Sequence, residues 1–300
     1  MRNKMKPETY LNRGDLDNIK HRVISYGAGT QSTAMLLMGL TGKLHSKPDI
    51  AIFADTGGEP KEVYDYLALI KDYVKKEFDF EIITVRKKGN DIIEDLETPR
   101  ISKKTGNSYI TNSPPLFVKH NDGGKVYMAN RNCTVTYKIK PFHRYMKNIF
   151  NIKRQKPEQE KCIELWMGIS LDEMQRMREG TDWYAILRYP LIEMKMVRNE
   201  SIKLVERFGL PTPPRSACTF CPYHNDNEWK RIRKNFPDEF QKVIELEKSI
   251  QNGLKEKPAL KGVPYFHRSC KPIGEINFGE EQYDLFDDGF LNECDGVCGI

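Results

Sequence analysis

The stretch of sequence that decides the fold runs Val23-Ile24-Ser25-Tyr26-Gly27-Ala28-Gly29-Thr30-Gln31-Ser32-Thr33-Ala34-Met35-Leu36-Leu37-Met38. Its first four residues are a short run typical of a buried strand, the glycines allow a tight turn, and the apolar residues after the turn favour a helix. A strand that delivers a glycine turn onto a helix N-terminus presents backbone N–H groups and the positive helix end to an anion. The stretch therefore predicts an anion-binding turn, with an ordinary strand-to-helix connection as the alternative.

The same pattern of strand and helix repeats along the chain. The apolar run at 49–54 leads into Asp55-Thr56-Gly57-Gly58, and helical spacing follows. Strands separated by helices of ten or more residues imply a parallel sheet covered on both faces. The predicted fold class is α/β, a doubly wound and mostly parallel sheet with helices on both faces, followed by a helical, cysteine-containing C-terminal region. Predicted strands lie at 23–26, 49–54, 80–85, 165–169 and 185–187, and predicted helices at 62–73, 139–150, 171–178, 198–208 and 227–251.

Composition and charge limit the class of protein. The chain has 300 residues, of which 39% are hydrophobic, enough for a substantial core. No run of eighteen apolar residues occurs, and the N-terminus lacks the apolar stretch of a signal peptide, so we expect a cytoplasmic protein without a membrane partner.

The formal net charge of +6 is unevenly distributed. Residues 86–156 contain sixteen Lys or Arg and five acidic residues, whereas residues 275–300 contain eight acidic residues and no Lys or Arg. A basic central segment favours a polyanionic substrate such as nucleic acid. The alternative is that the two segments neutralise each other in the fold.

Five blocks of sequence, in order, resemble one known family. The first two, SYGAGTQSTA at 25–34 and IFADTGGEPKEVYDYL at 52–67, resemble the pyrophosphate-binding loop (PP-loop) and second strand end of the adenine nucleotide alpha hydrolase superfamily, in its phosphoadenylylsulfate (PAPS) reductase branch. RNCTVTYKIKP at 131–141 and WMGISLDEMQRM at 166–177 resemble two further segments of that branch. GLPTPPRSACTFCPYH at 209–224 resembles a cysteine-pair segment of its bacterial and phage members.

The resemblance implies a domain organisation and a bound adenine nucleotide, ATP or PAPS, at the carboxyl ends of the strands. The nucleotide-binding domain would be 21–210, with 86–130 as a basic loop insertion, preceded by an arm at 1–20 and followed by a helical, cysteine-rich region at 211–300. The expected nucleotide-binding residues are Ser25, Tyr26, Gly27, Gly29, Gln31, Ser32, Thr33, Asp55, Thr56, Gly57, Gly168, Glu173 and Arg176.

Four residues are the expected catalytic groups: Asp55, Arg131, Lys138 and Asp172. Arg and Lys side chains suit phosphate or sulfate contacts. The alternatives are a structural turn aspartate, a solvated basic face and a helix cap. Many ATP-cleaving members carry an acid that assists Mg²⁺ where this chain has Gln31, so any Mg²⁺ would be held mostly by nucleotide phosphates and water.

Two cysteine pairs predict a metal site. Cys218 and Cys221 have the spacing that lets both sulfurs reach one metal, and Cys294 and Cys298 form a second close pair. Together they could form a Cys₄ site for zinc or an iron–sulfur cluster. The spare candidates are Cys133 and Cys270.

Thiol chemistry is the alternative for these cysteines. A Cys-x-x-Cys pair is also typical of redox centres. Assimilatory PAPS reductases carry a Glu-Cys-Gly-Leu-His block, of which Glu293-Cys294 matches only the start. We therefore favour metal binding over a reductase thiol for Cys294.

Three functions remain open on this basis. The favoured one is ATP cleavage to AMP and pyrophosphate, which adenylates an acceptor for sulfur insertion, with a nucleic acid substrate and a sulfur-donor protein as partners. The second is reduction or transfer of the sulfo group of PAPS or adenylylsulfate by a thiol. The third is a nucleotide-binding or nucleic-acid-binding protein without catalysis, which Gln31 supports.

Overall fold

The computed structural model describes residues 18–110, 114–122, 125–153, 162–180, 182–254 and 260–278. Nearly all of the expected arm at 1–20 lies outside the described residues. So do Cys294, Cys298 and most of the acidic segment at 275–300.

The described residues form ten strands and eight α-helices. The strands are β1 (His21–Tyr26), β2 (Ile50–Asp55), β3 (Ile82–Arg86), β4 (Arg100–Ile101), β5 (Ser108–Tyr109), β6 (Phe117–His120), β7 (Val126–Met128), β8 (Ile163–Met167), β9 (Ala185–Arg188) and β10 (Gly262–Tyr265). The helices are α1 (Thr30–Leu40), α2 (Lys61–Phe78), α3 (Ile92–Glu97), α4 (Lys140–Ile149), α5 (Pro190–Glu193), α6 (Arg198–Arg207), α7 (Asp226–Asn235) and α8 (Pro237–Gly253).

Five parallel strands form the central sheet, in the order β3-β2-β1-β8-β9. One face packs against α1, α2 and α6 in a core that contains Ile24 and Trp166. The other face packs against α4 in a core that contains Val23 and Leu165. Alternate residues of each strand enter opposite cores, as expected for a sheet that is buried on both sides. The predicted α/β fold, a doubly wound parallel sheet, is confirmed.

A third core joins the segment after β3 to the C-terminal region. Leu96 of α3, Leu116 and Tyr137 pack with residues of α7 and α8. A small antiparallel sheet in the order β10-β6-β7 adds a backbone connection between the two regions. The expected basic loop insertion at 86–130 therefore contains regular structure and packs mainly against residues after 214.

Several predicted elements differ in detail from the observed ones. The helix predicted at 171–178 is a 3₁₀-helix over Leu171–Arg176. The helix predicted from 139 starts earlier, as a π-helix over Thr134–Ile139 that leads into α4. By contrast, the helices predicted near 227–251 agree with the two observed ones, α7 and α8, since Pro237 begins a new helix after Phe236. The strands of the 86–130 segment have only two to four residues, too few for a recognisable alternation.

Candidate functional site

The glycine turn after β1 leaves a helix N-terminus without a side-chain cap. Gly29 is the N-cap of α1, and no side chain of the described residues caps the first N–H groups of the helix. The first turn of α1 is buried and contains no acidic residue. Ala28 has a φ of +56°, a left-handed conformation that is strained for alanine. A buried helix end that lacks a cap is a place where a ligand can satisfy the backbone N–H groups.

Two hydroxyls that are expected to bind phosphate, those of Ser32 and Thr33, form hydrogen bonds that hold the turn in shape. Ser32 Oγ accepts a hydrogen bond from the Gly27 amide at 3.2 Å and donates to the Gly29 carbonyl at 3.1 Å. Thr33 Oγ1 donates to the same carbonyl at 2.9 Å and lies 3.1 Å from the hydroxyl of Tyr26. Burial raises the pKa of Tyr26, so its hydroxyl stays protonated. The turn is therefore preorganised by its own side chains.

Two buried polar groups beside the turn have no partner among the described residues. One is Nε2 of Gln31, in the first turn of α1, and the other is Oγ of Ser170, just after β8. Gly168 lets the end of β8 approach the first turn of α1 closely, because a Cβ at this position would lie 2.9 Å from the Ser32 amide nitrogen. Unsatisfied buried donors are costly, and they indicate a site for a polar ligand.

Asp55, at the end of β2, is fully engaged within the chain. Its Oδ1 accepts hydrogen bonds from the Gly57 amide at 2.8 Å and from the Tyr64 hydroxyl at 2.7 Å. Its Oδ2 accepts one from Nε of Arg86 at 2.7 Å and also contacts the Nη2 atom of that guanidinium. Hydrogen bonding to Asp55 raises the pKa of Arg86, which stays charged. The Asp55 carboxylate therefore links the ends of β2 and β3.

The loop after β2 carries a buried ion pair. Nζ of Lys138 lies 3.0 Å from Oε1 of Glu59, and both side chains are at least nine-tenths buried. Thr56 Oγ1 hydrogen-bonds the Gly58 amide and lies 3.4 Å from Sγ of Cys218. Lys138, predicted from its own block, is thus brought next to the β2 end.

Residues 215–224 cover the ends of β1 and β2. Ser216 Cβ lies 3.9 Å from the position that a Cβ would take on Gly29. The Thr219 amide donates to the Gly58 carbonyl at 2.9 Å, and Phe220 packs on Gly58 so closely that a Cβ there would lie 2.9 Å from its ring. Three of the five blocks that carry the family resemblance, 25–34, 52–67 and 209–224, therefore meet at one place.

Cys218 is a protonated thiol in this arrangement. Burial raises its pKa well above the usual value, and the nearby Glu59 carboxylate raises it further. Cys221 follows on the same turn, with its amide bonded to the Cys218 carbonyl at 2.9 Å. Within the described part of the chain, no group of three or more His, Cys, Asp or Glu could hold a metal ion. The first predicted pair, Cys218 and Cys221, therefore lies on one turn, and the second pair, Cys294 and Cys298, lies outside the described residues.

The two spare cysteine candidates lie on other segments of the chain. Cys133 packs at the edge of the third core, as Cys218 does, and Cys270 is buried after β10. Burial raises the pKa of Cys270.

The remaining predicted site residues divide between two places. Arg131 donates to Thr134 Oγ1 at 3.1 Å, and its guanidinium lies 5.4 Å from the ring centre of Tyr223, so it lies against the covering residues 215–224. Asp172 is exposed and accepts a hydrogen bond from the Arg198 amide at 3.1 Å. Its carboxylate thus lies at the first turn of α6.

Glu173 and Arg176 form an ion pair after β8. Glu173 is buried, and the Arg176 side chain is mostly buried.

Sequence reasoning missed three polar groups at this site. Arg86 is the last residue of β3 as Asp55 is the last residue of β2, and this shared position at adjacent strand ends could have indicated the pair. Glu59 gave no local signal, because its partner is 79 residues away. Arg215 has two buried guanidinium nitrogens without a partner in the described part of the chain, and its Nη1 lies 3.9 Å from Glu228.

Comparisons with known proteins add little to this geometry. No protein-family model and no curated protein sequence matches the chain. One similar solved structure is the U34-tRNA thiolase NcsA from Methanococcus maripaludis with its 4Fe-4S cluster, at 15% identity and a TM-score of 0.38. The match covers 91% of this chain and 88% of that chain. Among the residues described, no helix has the length and apolar character needed to cross a membrane.

Proposed function

We propose that this chain is an adenine-nucleotide-binding enzyme of the PP-loop, PAPS-reductase-like type. It would cleave ATP between the α and β phosphates and transfer AMP to an acceptor oxygen, with release of pyrophosphate. A sulfur nucleophile supplied by a donor protein would then displace AMP from the acceptor, and the acceptor would be a nucleic acid. The reaction class rests on the family resemblance of residues 21–235, and the nucleotide site rests on the geometry.

The observation that carries the nucleotide site is the uncapped, buried N-terminus of α1. Its first turn is buried, yet no side chain of the described residues caps the backbone N–H groups there. The Gln31 amide and the Ser170 hydroxyl add buried donors without partners nearby. Such a set of donors is satisfied by the phosphate oxygens of a nucleotide.

Each part of the site has a role in this proposal. The Gly27–Gly29 turn would hold phosphates through its backbone, and Gln31 would donate to a phosphate oxygen. Lys138 would stabilise charge that develops on the leaving pyrophosphate, with Glu59 holding its ammonium in place. Arg215, whose neighbour Ser216 packs at Gly29, would supply a further cation near the phosphates.

The proposal includes a metal site at the cysteines. Cys218 and Cys221 would supply two ligands and Cys294 and Cys298 the other two, for zinc or an iron–sulfur cluster. Binding a metal would require the loss of the thiol proton of Cys218, whose pKa is raised by burial. Metal analysis of anaerobically purified protein and of the Cys218→Ser variant tests this site.

A second candidate function is nucleotide binding without turnover. It is favoured by two observations: Gln31 stands where ATP-cleaving members carry an acid, and both oxygens of Asp55 are already bound within the chain. Neither residue is then ready to hold Mg²⁺.

The discriminating experiment follows the fate of the phosphates. Purified full-length protein is incubated with α-labelled ATP or with PAPS, each with and without RNA and DNA. AMP and pyrophosphate that form only with nucleic acid would support the first proposal. Sulfite from PAPS would instead support the reductase alternative, and binding without products would support the second candidate.

A further inference from the structure

An open cavity of about 720 Å³ lies between the carboxyl end of β3 and helix α4. Four of its lining residues are cations: Arg86, Lys88, Arg144 and Lys147. None of its lining residues, all within the described part of the chain, is acidic. The cavity is therefore a concentrated patch of positive charge within the basic central segment.

The spacing of polar residues on α4 directs them to this cavity. Arg144, Lys147 and Asn148 lie at positions i, i+3 and i+4 of the helix, and Asn151 follows just after its end. Residues with this spacing share one face of a helix. On the opposite side, Phe142 and Met146 are buried in the core under the sheet. The orientation of the cationic face is thus fixed by the packing of the apolar face.

The positive charge of the cavity is only partly compensated. Asp55 neutralises Arg86, and the ammonium of Lys147 lies 4.8 Å from the ring centre of Tyr184. Within the described part of the chain, Lys88 and Arg144 make no ion pair. Like charges around one cavity repel, and a bound polyanion would relieve that repulsion.

The cavity lies beside the candidate nucleotide site. Arg86 pairs in register with Asp55, and β2 lies directly between β3 and β1. Two interstrand spacings separate the ends of β3 and β1, which amounts to about 10 Å. A strand of nucleic acid in the cavity would therefore pass within a few nucleotides of the phosphate turn.

We propose that this cavity binds the phosphodiester backbone of a nucleic acid, and so positions the acceptor of the proposed reaction. That the bound strand is the acceptor rests on the proposed function; the binding itself does not. The cations come from two elements and surround an open space, so they match a chain of phosphates better than one small anion. Tyr145, also in the lining, offers an aromatic ring on which a base can stack.

The test is a binding titration without nucleotide. Full-length protein and its Arg144→Ala/Lys147→Ala variant are titrated against a fluorescein-labelled 20-nucleotide single-stranded RNA and against a duplex DNA of equal length, at salt concentrations from 50 to 200 mM. We expect the variant to bind about tenfold more weakly at 0.1 M salt. The slope of log affinity against log salt should fall by about 1.4 for the RNA or about 1.8 for the DNA, for two lost phosphate contacts.

The matched control is Lys203→Ala/Arg207→Ala, which removes one Lys and one Arg from exposed positions of α6. We expect this control to bind like the unmodified protein, and thermal melts should show both variants folded. Equal losses in the two variants, an unchanged salt slope in the cavity variant, or no binding by the unmodified protein at 50 mM salt would each overturn the proposal. Because no ATP is present, these outcomes are independent of whether the chain cleaves ATP.

Discussion

The ends of β1 and β2 lie side by side in one sheet, yet they are built in opposite ways. The β1 end has no charged side chain, its helix N-terminus has no side-chain cap, and Gln31 has a buried amide nitrogen without a partner in the described residues. The β2 end contains Asp55, whose two oxygens accept hydrogen bonds from three groups, and the buried pair of Glu59 and Lys138. The β1 end therefore keeps polar groups without partners in the described residues, as a ligand site would, whereas the β2 end satisfies nearly all of its polar groups within the chain.

The largest expected effect comes from breaking the self-contained β2 end. Lys138→Met leaves the fully buried Glu59 carboxylate without its cation, and we expect a loss of about 3–5 kcal/mol in the free energy of unfolding. Urea denaturation measures this loss. Lys138→Met combined with Glu59→Gln should be less destabilised than the single variant, because no charge is then left unpaired. A single variant as stable as the unmodified protein would show that the pair does not hold this end together.

A smaller effect is expected where the ends of β8 and β1 touch. Gly168→Ala would place a methyl group 2.9 Å from the backbone nitrogen of Ser32, so the turn must shift. We expect about 1–3 kcal/mol of destabilisation, together with weaker ATP binding by calorimetry. Gly42→Ala serves as a control for added bulk alone, because no atom lies within 4 Å of the new group. Its left-handed φ of +71° means that it too will lose some stability, but its ATP affinity should be unchanged.

The segment that covers the β2 end should make stability depend on pH. Burial and the nearby Arg215 lower the pKa of His224 to about 4, below the 6.5 of an unperturbed histidine. The unfolded chain then binds more protons between these values, so this contribution to stability is present above pH 6.5 and is lost as the pH falls toward 4. Between pH 7 and pH 5 the loss from His224 should be about 2 kcal/mol.

The contribution of His224 is measured by comparing the pH dependence of the unfolding free energy in the unmodified protein and in the His224→Gln variant. Burial also lowers the pKa values of His143 and His267, so the unmodified chain alone does not isolate one residue. His224→Gln keeps a donor for the Cys218 carbonyl without a titrating ring. Its unfolding free energy should fall less steeply from pH 7 to pH 5, and identical slopes would contradict the assignment.

The smallest effect on stability is expected at the uncapped β1 end. Gln31→Leu removes an amide nitrogen that has no partner in the described residues, so stability should change by less than about 1 kcal/mol. ATP affinity should nevertheless fall about tenfold, since a phosphate contact is lost. Gln241→Leu, on the exposed face of α8, is the matched control. If Gln31→Leu binds ATP normally, its amide does not contact the nucleotide.

The sequence predicts these two strand ends unequally well. The turn at 27–29 could be predicted because strand, glycines and helix are contiguous, and the apolar runs of β2, β3 and β8 are long enough to recognise. The contacts of the β2 end could not be predicted in the same way. Thr56 meets Cys218 from 162 residues away, and Glu59 meets Lys138 from 79 residues away. Such pairs follow from tertiary packing, which local periodicity cannot predict.

The antiparallel sheet of β10, β6 and β7 is even harder to predict from the sequence. Strand β6 has four residues, and its partner β10 contains Pro264, which argues against a strand when the sequence is read alone. Proline is tolerated there because β10 is an edge strand.

The pairing of β10 with β6 also has a consequence for the order in which the protein forms during synthesis. All five strands of the central sheet lie before residue 189, whereas β10 begins at Gly262, where a Cβ would lie 2.0 Å from the Lys119 carbonyl oxygen. Because N-terminal units generally fold first on the ribosome, we expect the nascent chain to complete its central sheet before β10 can pair with β6. An early encounter with the nucleotide would then take place before the antiparallel sheet is complete.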